Sequence, residues 1–156
     1  MSKIDEIYMS EALKEAKIAF EKDEVPVGAV IVHKGRVIAR AHNQIKLLKD
    51  PTAHAEMIAI TQAAAYLENE RLLDTTLYCT IEPCAMCAGA MVLGRIKRLV
   101  YGAEDPKTGA SGSVMDITNN KKLNHRIQVT SGILADRCTG LLQDFFKAKR
   151  SREKIV

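Results

Sequence analysis

The chain has 156 residues, of which 47% are hydrophobic and 27% charged, with a formal net charge of +4. That length buries a core without disulfide staples and that balance excludes disorder, so a single domain over residues 1–156 is expected. A charge of this size does not by itself argue for a nucleic-acid partner, and the longest apolar run, Ala88 to Leu93, is far too short to cross a bilayer.

The start, Met1-Ser2-Lys3-Ile4-Asp5, is polar at once and lacks a secretory signal pattern, so the four cysteines are expected to be reduced and the protein cytoplasmic. Over residues 4–22, Met9, Ala12, Leu13, Ala16, Ala19 and Phe20 recur at helical spacing, which predicts an amphipathic helix ended by Glu24-Val25-Pro26. Val27 to His33 and Val37 to Ala41, joined by Lys34-Gly35, predict a hairpin. Gly28 within its first strand marks a place where something approaches the backbone closely. Asn43 to Thr52 reads as a polar loop, followed by a helix from Ala55 to Leu67 and a strand from Thr75 to Thr80. Ile81-Glu82-Pro83 then turns into a helix running from Cys84 to Leu93. A strand from Arg98 to Gly102, a loop from Ala103 to Gly112 and a short helical or irregular piece from Val114 to Leu123 come next. The last elements are a short strand, Ile127 to Thr130, and a basic helix from Leu134 to about Arg150 with Leu134, Cys138, Leu141, Leu142 and Phe145 on one side. Strands alternating with helices from Thr75 onward imply parallel pairing, whereas the first hairpin is antiparallel. The expected architecture is α/β: three layers, α/β/α, around a mixed sheet of about five strands. Ligands gather in such sheets where helix N-termini meet strand ends.

Two stretches at those positions carry the chemistry: His54-Ala55-Glu56 and Pro83-Cys84-Ala85-Met86-Cys87. Zinc favours four nitrogen and sulfur ligands, and a catalytic site leaves one position to water. His54, Cys84 and Cys87 supply three ligands and Glu56 is left to handle protons. Cys84 and Cys87, three apart, fall on one helix face near its positive end, which favours the thiolate. His54 and Glu56, two apart, share a site only if His54 stands at the loop-to-helix junction. The alternative is a structural zinc with Cys79 or Cys138 as the fourth ligand, although both lie in apolar periodic segments that suit a core.

His-x-Glu followed by Pro-Cys-x-x-Cys is the known signature of zinc-dependent nucleobase deaminases. With Val25-Pro26-Val27-Gly28-Ala29, Asp50-Pro51-Thr52-Ala53, Tyr101-Gly102-Ala103, Lys107-Thr108-Gly109, Asn124-His125-Arg126 and Phe145-Phe146-Lys147, the whole chain resembles the bacterial tRNA-specific adenosine deaminases of the cytidine-deaminase-like superfamily. The resemblance implies one Zn2+ per subunit on His54, Cys84 and Cys87, and a homodimer. It implies attack of activated water on C6 of adenine, with Glu56 moving protons to N1 and to the departing amine to leave inosine. It implies as substrate the wobble position of a tRNA anticodon stem-loop, that of the arginine tRNA with anticodon ACG. Asn43 is then expected at the nucleoside sugar, Asp105 at the RNA beside the edited base and Lys107 at a phosphate. In the basic C-terminal stretch, Phe145 is expected to contact a base and Arg150 the anticodon loop. Lys121, Lys122, His125 and Arg126 form a second basic cluster, either RNA-facing or solvated. Two rival readings use the same residues: a deaminase of a free base or nucleoside, and a noncatalytic RNA-binding module with structural zinc.

Overall fold

The computed structural model describes the backbone of residues 2–155 and the side chains of residues 2–153. Helix α1 (Lys3–Glu21) begins where the Ser2 hydroxyl accepts from the Ile4 amide at 3.2 Å, and buries Met9, Ala12, Leu13, Ala16 and Ala19. Strands β1 (Gly28–His33) and β2 (Arg36–His42) turn on Lys34 and Gly35, both at positive φ (51° and 73°). Such a two-residue turn matches the twist of the flanking strands. After the hairpin come α2 (Ile45–Leu48), α3 (Ala55–Leu67), β3 (Thr75–Ile81), α4 (Ala85–Leu93), β4 (Arg98–Ala103), β5 (Gln128–Thr130) and α5 (Ala135–Ile155). The five strands form one sheet in the order β2-β1-β3-β4-β5. Strand β1 is antiparallel to β2 and β3, while β3, β4 and β5 run parallel. The expected mixed, three-layer arrangement is the observed one.

Alternation along the strands divides the core in two. Ala29, Ile31, Leu77, Cys79, Leu99 and Tyr101 face α3 and α4, packing with Ala59, Cys87 and Met91. Val30, Val32, Tyr78 and Val100 face the other way, onto Met9 and Leu13 of α1 and Cys138 of α5. A Cβ at Gly28 would collide with the Ala12 carbonyl and the Ala16 amide, so the close approach anticipated there is the backbone of α1. One polar clamp fastens α1 to the sheet. Asp5, 3% exposed, accepts from Arg98 Nη1 and Nη2 at 2.9 and 2.7 Å and from the Tyr78 hydroxyl at 2.8 Å, and Arg98 also donates to Thr130 Oγ1 at 3.0 Å.

Two local expectations need correction. The stretch expected to be a loop, 43–52, contains α2, whose Lys46 and Leu47 amides donate to the buried Glu24 carboxylate at 3.1 and 2.9 Å. That partner lies more than twenty positions upstream, so no local pattern announces it. Residues 114–123, expected to be helical or irregular, are irregular. Helix α5 continues past Arg150 to Ile155, while the side chain of Lys154, a further basic residue of this stretch, lies outside the described residues. Among the described residues, no helix is long and apolar enough to cross a membrane.

Candidate active site

Both predicted ligand stretches meet at one end of the sheet. His54 and Cys84 are the N-cap residues of α3 and α4, each with extended backbone (φ −71°, ψ 150° and φ −74°, ψ 176°). His54 is therefore not yet helical, which lets its ring and the Glu56 carboxylate share a pocket despite being two apart. Cys87 lies one turn into α4, on the same face as Cys84. His54 Nδ1 lies 3.6 Å from Cys84 Sγ and 3.5 Å from Cys87 Sγ, and the three ligand atoms all fall within 4.8 Å of one another. Tetrahedral zinc with ordinary Zn–N and Zn–S lengths sets N and S about 3.6 Å apart. The triangle fits that ion, and one imidazole with two thiols is a donor set suited to it. Among the described residues neither Cys79 nor Cys138 joins the group. Cys79 is buried in the core between sheet and α3/α4, and Cys138 on the opposite face of the sheet.

Electrostatics set the protons of the cluster. Hydrogen bonds from Cys87 and His54 hold the Cys84 thiol down to about 4, while its bond to Cys84 and burial push Cys87 up. The bond with Cys84 raises His54. Glu56 is 2% exposed, burial raises its carboxyl above the usual range, and its Oε1 has no hydrogen-bond partner. A buried polar atom left without a partner is costly, and in a site it marks the place of a ligand or reactant. Glu56, His54, Cys84, Asn43 and Asp105 line one pocket of about 230 Å³. Asn43 is 6% exposed and its Oδ1 accepts from the Ala55 amide at 2.8 Å, fixing the first turn of α3 against the end of β2. Asp105 caps its own turn: its Oδ1 accepts from the Lys107 and Thr108 amides at 3.0 and 3.1 Å, and its Oδ2 from the Thr108 hydroxyl at 2.7 Å.

A second hollow, of about 430 Å³, brings together Lys107 and Arg150, far apart in sequence, with Gln143 and Phe146. Phe145 is not in it. That side chain is 2% exposed and packs edge-on against Phe20 at 5.5 Å between ring centroids, so its expected base contact is corrected: the exposed ring is Phe146, at 43%. The signal was present, since Cys138, Leu141, Leu142 and Phe145 are spaced three, four and seven apart and define the core side of α5. Glu82 had no such signal. It is 1% exposed in the wall of the pocket at His54 and Glu56, where its carboxylate accepts from the amides of Asp105, Ser111 and Ser113.

Comparison with known proteins agrees with this geometry. Residues 4–150 match the MafB19-like deaminase family. A protein of Bacillus subtilis named tRNA-specific adenosine deaminase is 50% identical over 152 residues, covering 97% of this chain and 94% of its own. One of that name from Haemophilus influenzae is 48% identical over 155 residues, covering 99% and 90%. A solved structure from a study of A-to-I editing by tRNA:A34 deaminases at the wobble position of transfer RNA superposes with a TM-score of 0.84 at 46% identity, over 86% of this chain and 98% of that one. The guanine deaminase of Nitrosomonas europaea is more distant, with a TM-score of 0.75 at 26% identity, over 90% and 83%. With its fold, its His54/Cys84/Cys87 triangle and relatives of about half-identical sequence along nearly its full length, the chain belongs to the tRNA-specific adenosine deaminases and is a hydrolytic enzyme of the deaminase class.

Proposed function

We propose that the chain converts adenosine to inosine at wobble position 34 of tRNA, with the arginine tRNA of anticodon ACG as substrate, in a zinc-dependent reaction in the cytoplasm. The observation that carries this reading is the ligand triangle with the partnerless Glu56 oxygen beside it in one pocket. His54, Cys84 and Cys87 would hold the ion. Bound there, zinc supplies the Lewis acidity that brings the ionisation of water toward neutral pH. Glu56 takes the proton of the attacking water, passes it to N1 of the purine and protonates the departing amine, so that adenosine and water give inosine and ammonia. Asn43, held by the Ala55 amide, has its NH2 group left for the nucleoside sugar. Asp105, Lys107, Phe146 and Arg150 extend from the pocket into the neighbouring hollow and suit a single-stranded loop, with cations at phosphates and an aromatic ring for stacking. An anticodon loop presents its bases already unpaired, which lowers the cost of drawing one into the pocket.

The proposed assembly is a homodimer. Leu93, 82% exposed at the end of α4, lines a hollow of about 180 Å³ with Leu123, Arg95 and Lys122, and a second copy would cover the exposed leucines there. Incubation of zinc-loaded protein with an anticodon stem-loop, with adenosine and with guanine tests the substrate. Inosine at the first anticodon base is expected, whereas turnover of the free base or nucleoside alone would select the rival suggested by the guanine deaminase likeness. Glu56→Ala is expected to keep fold and zinc and to lose about a hundredfold to ten-thousandfold in rate. A variant of unchanged rate would sink the enzymatic role of this acid.

A further inference from the structure

We propose that Glu82 is a positioning residue for the RNA substrate. Its buried carboxylate ties the loop bearing Asp105 and Lys107 to the turn bearing Cys84, and so sets one wall of the catalytic pocket. This rests on the tRNA reading of the site. Glu82 directly follows β3, two residues before Cys84, and its own amide donates to the Ala103 carbonyl at 2.8 Å. Its Oε1 accepts from the Asp105 amide at 3.1 Å and from the Ser113 hydroxyl. Its Oε2 accepts from the Ser111 and Ser113 amides at 2.9 and 3.1 Å. A buried carboxylate is costly unless hydrogen bonds satisfy it, and here backbone donors from both ends of one loop do so with no cation among them. Two further contacts hold the same loop to the same turn. The Ala110 amide donates to the Pro83 carbonyl at 2.8 Å. Gly109 lies so close to Glu82 that a Cβ would collide with the carboxylate.

The consequence runs outward along the chain. Asp105, fixed through its amide, organises the turn that carries Lys107. Asp105 lines the pocket at His54 and Glu56, and Lys107 lines the hollow at Phe146 and Arg150. At 1% exposure Glu82 acts through the residues it fixes rather than by binding substrate itself.

The test uses the full-length, zinc-loaded protein. Glu82→Gln keeps the size of the side chain but turns an NH2 group toward amide donors, and Ser113→Ala removes one donor only. For Glu82→Gln the KM for the anticodon stem-loop is expected to rise about tenfold, the size of effect left by an unmatched buried donor, with kcat changed less than about threefold. Zinc content should stay the same, and amide exchange should quicken at Asp105, Ser111 and Ser113 but not in β3 or α4. Ser113→Ala should shift KM the same way by less. An unchanged KM in a folded, zinc-loaded Glu82→Gln, or a fall in kcat alone, overturns the proposal. Loss of zinc with faster exchange throughout the protein in both variants overturns it in favour of a purely structural role. Failure of the wild-type protein to turn over the stem-loop overturns the tRNA reading itself, and is distinguished by appearing without any substitution.

Discussion

Neighbouring phenylalanines on α5 have opposite environments because one residue is a turn of about 100° on a helix. Phe145 completes the side defined by Cys138, Leu141 and Leu142 and meets Phe20, while Phe146 looks into the hollow with Lys107 and Arg150. Phe145→Ala is therefore expected to cost about 3–5 kcal/mol of stability, read from urea unfolding. Phe146→Ala should leave unfolding nearly unchanged and weaken stem-loop binding by about 1–3 kcal/mol, read by titration calorimetry. The reverse pattern would reassign the two rings. At this scale the sequence was most legible where chemistry restricts the residue type. One imidazole, two thiols three apart and an acid two from the imidazole have few other uses together. It was least legible at Glu82, whose partners are backbone amides more than twenty positions away and leave no trace in residue identity.

At the scale of elements, sequence patterning located nine of the ten helices and strands among the described residues, and the exception is instructive. Helix α2 has four residues, too few for a period, and is held by Glu24 from outside it. The attachment of α1 has the same long-range character, since Asp5, Tyr78, Arg98 and Thr130 come from four separate elements. It also makes stability depend on pH. The Arg98 guanidinium holds the Asp5 carboxyl below its ordinary 3.8, against the opposing effect of burial. A carboxyl depressed on folding binds fewer protons folded than unfolded. Its contribution is thus fully present above the unfolded value and is lost as pH falls through the depressed one. Asp5→Asn is expected to lower stability at neutral pH by about 2–3 kcal/mol, and its stability should fall less steeply than wild type below about pH 5. Urea midpoints across that range check both, and parallel acid limbs would remove Asp5 from the account.

For the whole molecule, the sheet separates two tasks. Its ligand end gathers residues 43, 54, 56, 84, 87 and 105, while the face covered by α1 and α5 has its own apolar cluster and the Asp5 clamp. Stripping zinc with a chelator is expected to lower Tm by about 10 °C, since a ligand at a thousand times its Kd adds about 4 kcal/mol and each kcal/mol moves a chain this long by about 2–4 °C. Calorimetry before and after zinc is restored checks this, and an unmoved Tm would mean that no ion binds the folded state selectively.

His54 and Cys84 stand at the heads of α3 and α4, and neither side chain closes its helix with a cap hydrogen bond. An ion held between them would therefore act as a rivet for two helices at once. Without it, fraying should start at those two heads and spread along one side of the sheet, while the side braced by α1 stays shut. The proposed reaction centre would by the same construction be the place where the metal-free protein first comes apart.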